Sequence, residues 1–295
     1  MKLCLGTVQF GMDYGIRGQK RPHIKDVFDM LDYAVSNDVS TIDTANAYGI
    51  AEEVVGAWLR GKSRSGVFLV SKLKPNILPD NPGSLDISDI YAIIKENLTQ
   101  SLQRLGTDFL DAYLLHSPGY VFDDNVLQAM ASLKKEGYVG QVGVSVYEPA
   151  EAMHAISHPG MDMVQLPYSI FDQRMKYVFS KCEGTVLHGR SAFIQGLILM
   201  DESDVPEFLH KARPILRDID AACRETGYSR IRLAIGYVKQ QKALSHLVFG
   251  VDSLEQLKED VALFNEDIPR EVCAEISRRF KKLDADIVMP SLWKK

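Results

Sequence analysis

Four ionisable side chains stand at or just after the ends of short apolar runs that predict β-strands: Asp43, Tyr48, Lys72 and His116. A tyrosine, whose ordinary pKa is about 10, is a poor acid near neutral pH. A neighbouring ammonium such as that of Lys72 favours the phenolate and lowers this pKa. Asp43 would keep Lys72 charged and oriented, and His116 would share a hydrogen bond at a substrate oxygen. Such a set could protonate a carbonyl oxygen during its reduction, with the hydride supplied by a nicotinamide cofactor.

Each of these residues also has an ordinary structural explanation. An Asp after a strand is usually a turn or cap residue, and Tyr48 could cover the core with its ring. Lys72 could be solvated, and His116 could be a hydrogen-bonded structural histidine. Together they are harder to explain in this way. An Asp and a Lys that both point into a shared cleft would be costly unless they met.

The elements that must position these residues alternate along the chain. Eight short apolar runs predict strands, at 2–8, 41–45, 67–72, 109–116, 139–146, 162–168, 184–190 and 246–250. Each is followed by a stretch with helical periodicity, at 25–37, 51–61, 88–105, 123–136, 149–156, 174–182, 207–226 and 253–264. Apolar runs with little alternation are typical of strands that are buried on both faces in parallel sheets.

Eight strand–helix units in 295 residues predict an α/β protein with a single (β/α)8 barrel, as one domain over residues 1–295. An open doubly wound sheet is the main rival fold. Segments 229–241 and 269–282 are predicted to be extra helices, the second of them a C-terminal tail, and 74–88 is predicted to be a loop. A barrel carries its active site at the C-terminal ends of its strands, where all four residues fall.

Composition excludes several classes of protein. The net charge of −5 argues against nucleic-acid or anionic-membrane partners, because phosphate binding needs clustered cations. The four cysteines are scattered and form no C-x-x-C pair, which predicts reduced thiols, a cytoplasmic protein and no metal site. No stretch approaches the ~18 apolar residues of a membrane span. The predicted partner is therefore a small-molecule carbonyl substrate, and the oligomeric state is not predicted.

The sequence resembles the aldo-keto reductase superfamily at these same residues. The motif D-x-A-x-x-Y-G runs from Asp43 to Gly49, Lys72 lies in an SK pair and His116 ends an LLH run. The resemblance implies a (β/α)8 barrel that reduces carbonyl compounds with NADPH or NADH and without metal. It implies that Tyr48 is the proton donor, that Asp43 and Lys72 tune it and that His116 orients the carbonyl.

The same resemblance implies a set of cofactor contacts at the strand ends. In the family, a Ser-Asn pair after strand five and a Gln on strand six hold the nicotinamide carboxamide; here Ser145 and Gln165 match, and Val146 replaces the Asn. After strand seven, Arg190 stands where the family has an aromatic residue that stacks on the nicotinamide. The full set of implied cofactor residues is Gly6, Thr7, Asp43, Ser145, Gln165, Arg190, Ser191, Phe193, Gly250, Ser253, Gln256 and Asp260.

The turn after strand eight bears on the choice of cofactor. A helix N-terminus there can bind phosphate, and Ser253-x-x-Gln256 is at the same time a capping box. A 2′-phosphate needs Arg or Lys nearby, but positions 250–256 carry none and Asp252 is acidic. We therefore expect a weakened preference for NADPH, with use of NADH.

The substrate pocket is predicted to be polar. Its walls would come from Phe10, Asp13 and Tyr14, from loops 74–88 and 117–122, and from the segment after strand seven. Arg190 and Gln195 in that segment favour a hydroxylated or sugar-derived carbonyl compound. Two other functions stay open on sequence alone: a cofactor-binding regulatory or weakly active protein on the same barrel, and a metal-dependent or Schiff-base enzyme that uses Lys72.

Overall fold

The computed structural model describes residues 1–293, in which eight parallel strands pair in chain order and close into a barrel. Every strand hydrogen-bonds to the one before it, and the last pairs with the first through Lys2 and His246. The strands are β1 (Lys2–Gly6), β2 (Thr41–Asp43), β3 (Phe68–Lys72), β4 (Leu110–Leu115), β5 (Val139–Ser145), β6 (Met163–Pro167), β7 (Val186–Arg190) and β8 (Leu244–Phe249). The predicted barrel is confirmed, and the open sheet is excluded.

Twelve α-helices lie in the described part of the chain. They are α1 (Val8–Gly11), α2 (Ile24–Ser36), α3 (Ala51–Leu59), α4 (Ile87–Leu105), α5 (Asp124–Lys135), α6 (Pro149–Ser157), α7 (Lys176–Phe179), α8 (Arg213–Thr226), α9 (Arg230–Lys239), α10 (Leu254–Asn265), α11 (Arg270–Arg279) and α12 (Ala285–Val288). Short 3₁₀ segments occupy Pro82–Ser84, Pro118–Phe122, Ile194–Leu199, Glu202–Asp204, Glu207–Ala212 and Pro290–Leu292.

The outer helices form because one stripe of each is apolar. In α4 the residues at three- and four-residue steps, such as Ile90, Ile94 and Leu98, are buried against the sheet. The helix ends at Gly106, which takes a left-handed conformation (φ 65°) that glycine adopts without steric cost. At the start of α5, the Asp123 carboxylate accepts hydrogen bonds from two free backbone N–H groups.

Two predicted helices differ from those observed. The stretch 174–182 forms only the single turn α7, and 207–226 begins as a 3₁₀ segment before α8. The extra helix predicted at 229–241 is α9, which packs on α10 and leads into β8, so α8 and α9 together connect β7 to β8. The predicted tail helix is α11, and the chain then returns through α12 to Pro290 and Ser291 beside the barrel mouth.

Side chains of alternate strand residues fill the barrel interior. Val70, Ala112, Leu114 and Met163 form a small buried apolar cluster, separate from the larger core that involves the surrounding helices. Lys72 follows Val70 by two positions and so lies on the same face of β3, one layer nearer the C-terminal end. No helix among the described residues has the length and apolarity that a membrane crossing would require.

Two histidines face each other inside the barrel. The rings of His188 on β7 and His246 on β8 have their centroids 4.4 Å apart, and the His188 Nδ1 atom has no hydrogen-bond partner. Burial lowers the pKa of His188 to about 3 and that of His246 to about 4. Both rings are therefore neutral in the folded protein at neutral pH.

We expect this pair to make the protein less stable in mild acid. Unfolded histidine binds a proton near pH 6.5, whereas the folded rings bind one only near pH 3 to 4, so the stability present above pH 6.5 is lost as the pH falls. For His188, this amounts to about 2 kcal/mol between pH 6.5 and pH 5. Urea denaturation at several pH values gives the free energy of unfolding as a function of pH. This free energy should change less with pH for His188→Gln than for the wild type. A matched change at the exposed His23 serves as control, and parallel profiles for His188→Gln and wild type would contradict the prediction.

Candidate active site

The four predicted catalytic residues meet at the C-terminal end of the barrel. The Lys72 Nζ atom lies 2.6 Å from Asp43 Oδ1 and 3.3 Å from the Tyr48 hydroxyl oxygen. The His116 ring packs edge-on against the Tyr48 ring, with centroids 5.7 Å apart. Pairing of the neighbouring strands β2, β3 and β4 brings these residues together, although they are up to 73 positions apart in sequence (116 − 43).

The Lys72–Asp43 ion pair is fully enclosed. The two side chains are 0% and 3% exposed, and Lys72 also donates a hydrogen bond to the Thr44 carbonyl oxygen. Burial alone would lower the pKa of Lys72, but the Asp43 carboxylate and the Tyr48 hydroxyl raise it above its ordinary value. Lys72 therefore carries its proton at neutral pH.

The protonation states of Tyr48 and His116 follow from their surroundings. Burial raises the pKa of Tyr48 above its ordinary value, and the nearby Lys72 only partly offsets this effect. The sequence-based expectation of a lowered phenol pKa is therefore correct for the contribution of Lys72 and wrong for the net shift. Burial, together with Lys72 and Arg190, lowers the pKa of His116 to about 3, so its imidazole is neutral.

These residues border a cavity of about 590 Å³, within the range typical of ligand pockets. Most of the predicted site residues line it: Gly6, Thr7, Asp43, Tyr48, His116, Ser145, Gln165, Arg190, Ser191, Phe193, Gly250, Gln256 and Asp260. Lys72 does not line the cavity but lies behind Tyr48 and Asp43. Ser253 does not line it either.

Ser145 and Gln165 form a hydrogen-bonded chain with the Asp43 carboxylate. Gln165 Nε2 donates to Asp43 Oδ2 at 2.8 Å, and the Ser145 hydroxyl lies 3.4 Å from Gln165 Oε1. Asp43 is thus held through one oxygen by Lys72 and through the other by Gln165. The sequence assigned Gln165 only to the cofactor and did not reveal this second contact.

Arg190 reaches from the end of β7 across to the end of β5. Its Nη2 atom donates to the Val146 carbonyl oxygen at 2.8 Å, and Nη1 donates to the Ser191 hydroxyl at 3.1 Å. The guanidinium carbon lies 4.5 Å from the centre of the Tyr147 ring, which makes a cation–π contact. The guanidinium is therefore fixed beside Val146, whose side chain is apolar.

The turn between β8 and α10 is acidic on its cavity side. Asp252, Glu259 and Asp260 all line the cavity, and burial raises the pKa of Asp260 to about 7. The Ser253 hydroxyl accepts a hydrogen bond from the Gln256 backbone N–H and so caps α10. Lys258 does not reach this turn, because its ammonium lies over the ring of Tyr33 on α2.

The residues present fit a polar ligand such as a nicotinamide dinucleotide. Three buried polar atoms of cavity-lining residues have no hydrogen-bond partner among the described residues: Gln9 Oε1, His116 Nδ1 and Arg190 Nε. At Gly250, a Cβ atom would come within 2.4 Å of Gln9 Oε1, so a side chain there would displace the end of the Gln9 side chain. Among the described residues, no group of three or more His, Cys, Asp or Glu could hold a metal ion.

Two loops form the outer wall of the cavity. Residues 14–19 make a short antiparallel turn, and the Ile16 N–H donates to the carbonyl oxygen of Gln195 in the other loop. That second loop is strained, since Ser191, Ile194 and Gln195 all have positive φ values (64°, 47° and 54°) that L-residues rarely adopt.

The predicted pocket walls are partly wrong. Tyr14 and Gln195 line the cavity as expected, but the Phe10 side chain is buried in the core. Asp13 lies on the surface, where it pairs with Lys20. Loops 74–88 and 117–122 do not contribute to the cavity wall. Phe10 lies in the short helix α1 that follows β1, and its apolar side chain is the buried residue of that helix.

A second buried polar cluster supports β3 from behind. The carboxylate of Glu52, which is almost fully buried, accepts hydrogen bonds from the Ser71 hydroxyl at 2.5 Å and from the Arg104 guanidinium at 2.7 Å. Ser71 precedes Lys72, so this cluster fixes the strand that carries the Lys72 ammonium. Nothing in the sequence distinguishes Glu52 from its solvated neighbour Glu53.

Comparison with known proteins agrees with this geometry. A sequence model described as the Aldo/keto reductase family matches residues 2–279. The chain is 26% identical to the Protein tas of Escherichia coli, over 93% of this chain and 92% of that protein. It is also 26% identical to the NADH-specific methylglyoxal reductase of Escherichia coli, over 77% of this chain and 79% of that protein.

Among solved structures, the chain is similar to the holo form of aldo-keto reductase AKR11C1 from Bacillus halodurans. The two superpose with a TM-score of 0.76 at 22% sequence identity, over 99% of this chain and 95% of that one. At this level of identity the likeness establishes the fold, and it extends over the whole barrel.

Proposed function

Because the chain belongs to the aldo/keto reductase family, we propose that it reduces an aldehyde or ketone to an alcohol with NADH or NADPH as hydride donor. The observation that carries this proposal is the position of Lys72 between Asp43 and Tyr48 at the edge of the cavity. A phenol next to an ammonium group can give up its proton and leave a stabilised phenolate. Protein that only binds a cofactor has no need of this arrangement.

The residues divide the work at the carbonyl oxygen. The neutral His116 ring has an N–H that can donate a hydrogen bond to this oxygen and orient it, since an imidazole with a pKa of about 3 carries one proton at pH 7. Tyr48 donates the proton that the oxygen takes up. The Lys72 ammonium stabilises the phenolate that remains, and Asp43 keeps Lys72 in place. A bound nicotinamide cofactor supplies the hydride.

We assign the rest of the cavity to the dinucleotide. Ser145, Gln165 and Arg190 would hold the nicotinamide end, with Gly6, Thr7, Ser191 and Phe193 along its path. Gly250, Gln256 and Asp260 would hold the other end, where the first N–H groups of α10 favour a phosphate. Ser253 contributes to this end as the cap of α10 rather than through a cavity contact. These assignments are supported by the cavity lining and by its unpaired buried atoms.

We expect NADH to be at least as good a cofactor as NADPH. Three carboxyl groups and no free cation lie at the β8–α10 end of the cavity in the described structure, and a 2′-phosphate would be repelled there. Steady-state kinetics with both cofactors should give a higher kcat/KM for NADH. In the Asp260→Asn variant, the ratio of kcat/KM for NADH to kcat/KM for NADPH should be several-fold smaller than in the wild type. A preference of several hundredfold for NADPH in the wild type would overturn the prediction.

The direct test is a spectrophotometric assay. Purified protein with NADH or NADPH and an activated aldehyde should lose absorbance at the wavelength of the reduced cofactor, and the loss should depend on Tyr48. Absence of turnover together with tight cofactor binding would favour the regulatory alternative. The Schiff-base alternative is opposed by the raised pKa of Lys72, because an ammonium is not a nucleophile.

The polar cavity wall supports a polar substrate. Tyr14, Arg190 and Gln195 line the cavity beside Tyr48 and His116, which supports the proposal of a hydroxylated or sugar-derived carbonyl compound. A panel of aldoses and apolar aldehydes would test it, and a uniform preference for the apolar set would contradict it. A cytoplasmic location stays a prediction from the scattered cysteines.

A further inference from the structure

Arg190 differs from every other arginine in the described chain. It is shielded from solvent to an intermediate degree, and no carboxylate of residues 1–293 lies within 4.0 Å of it. Ten arginines form ion pairs, and the other unpaired ones are all exposed: Arg21, Arg60, Arg224 and Arg270. A shielded cation without a counter-ion is costly, and proteins normally pair such charges. A bound anion would supply the counter-ion that the described residues do not.

The guanidinium is also held ready for a ligand. Two of its five N–H groups donate to Val146 and Ser191, and Nε is buried without a partner, so three N–H groups have no acceptor among the described residues. Tyr147 covers one face of the planar group. A ring of the cofactor could stack on the other face while the edge stays available for hydrogen bonds.

Arg190 acts on the same space as the catalytic residues. Its charge contributes to lowering the pKa of His116, and it opposes the burial that raises the pKa of Tyr48. All three side chains line one cavity. The acidic groups Asp252 and Asp260 do not serve as its counter-ions, since burial raises the pKa of both and no cation offsets it.

On the basis of the function proposed above, we propose that the substrate carries a carboxylate, which Arg190 binds while the carbonyl group lies at Tyr48 and His116. A carboxylate can accept two parallel hydrogen bonds from the planar fork of a guanidinium, which a neutral group of the same size cannot match. The anion would also offset the cation beside the nicotinamide, whose ring becomes positively charged when the hydride leaves. Arg190 is thus a specificity-determining residue that selects oxo acids.

A matched pair of aldehydes tests this proposal. With saturating cofactor, kcat/KM is measured for 4-carboxybenzaldehyde and for its methyl ester, which differ only in charge at one end. The wild type should prefer the carboxylate ten- to a hundredfold, as for a hydrogen-bonded charge pair. Arg190→Met should bring the ratio near one, and Arg190→Lys should retain part of it. Because the ratio compares two substrates on one protein, a general effect of the variant on cofactor binding cancels.

Arg17 provides the control for the charge of the cavity. It lines the same cavity but is half-exposed and paired with Asp204, so Arg17→Met should leave the ratio as in the wild type. A wild-type ratio near one, or a preference that persists in Arg190→Met, would overturn the proposal. The same kcat/KM ratio can be measured for glyceraldehyde 3-phosphate and glyceraldehyde. If this ratio exceeded the ratio for the carboxylate and its ester, the choice of a carboxylate would be overturned.

Calorimetry separates this proposal from the proposed function. Binding of the alcohol 4-(hydroxymethyl)benzoate and of its methyl ester can be measured without turnover, in the presence of oxidised cofactor. The carboxylate should bind at least tenfold more tightly to the wild type than to Arg190→Met, and the ester should not discriminate between them. If no aldehyde is reduced but this difference is found, the catalytic proposal fails and the anion site stands. Equal binding of the carboxylate to both proteins refutes the anion site.

Discussion

Replacing Tyr48 by Phe should lower kcat about a thousandfold and leave cofactor binding and the fold unchanged. The variant loses only the hydroxyl oxygen, which lies 3.3 Å from the Lys72 ammonium, and with it the proton that the product oxygen needs. General acids typically contribute 10²- to 10⁴-fold to rate. The ring itself keeps its edge-on contact with His116 and its place below the ammonium, which is 4.8 Å from the ring centre.

The measurement is the rate of NADH or NADPH loss with an activated aldehyde, together with the Kd for the cofactor by fluorescence. Tyr14→Phe is the matched control, because Tyr14 lines the same cavity but its hydroxyl is hydrogen-bonded to Gln195 rather than to Lys72. Its effect on kcat should be far smaller. If Tyr48→Phe retained more than a tenth of the wild-type activity, another group would be the proton donor.

Replacing Lys72 by Met should cost about 3–5 kcal/mol of unfolding free energy as well as activity. The change leaves the Asp43 carboxylate buried without its cation, and breaking a buried pair from one side is strongly destabilising. The double variant Asp43→Asn/Lys72→Met removes both charges. It should recover a large part of the lost stability but none of the lost activity.

Urea denaturation at neutral pH measures both variants. The control is Lys134→Met, which breaks the half-exposed ion pair between Lys134 and Asp162 and should cost only about 0–1 kcal/mol. Equal losses of unfolding free energy for Lys72→Met and Lys134→Met would show that burial does not make the Lys72–Asp43 pair more important for stability than an exposed pair. A double variant no more stable than Lys72→Met would contradict the assignment of the loss to an uncompensated charge.

The barrel could be predicted from sequence because its strands are short apolar runs and its helices are amphipathic. The strand ends then placed Asp43, Lys72 and His116 on one side of the barrel, since parallel strands all end there. The stretch 174–182 was misassigned because its periodic residues are spread over a single helical turn and irregular chain. Local pattern cannot show how long a helix remains packed against the sheet.

The contacts between site residues were less accessible. The bond from Gln165 to Asp43 joins positions 122 residues apart, and no spacing along the chain signals it. The net shift of the Tyr48 pKa depends on how deeply the phenol is buried, which only the folded chain determines. The separation of Arg190 from the described carboxylates is likewise a property of the assembled cavity.

The cavity has a floor and walls of different origin. Strand ends, whose mutual positions the closed barrel dictates, carry Asp43, Lys72 and Arg190, whereas residues 14–19, 191–196 and the returning segment at Pro290–Ser291 form the sides. The sides can therefore change in length and sequence without moving the floor. A substitution in one of these three segments would reshape the entrance of the cavity while leaving the spacing of the charged groups at its base as the strand register sets it.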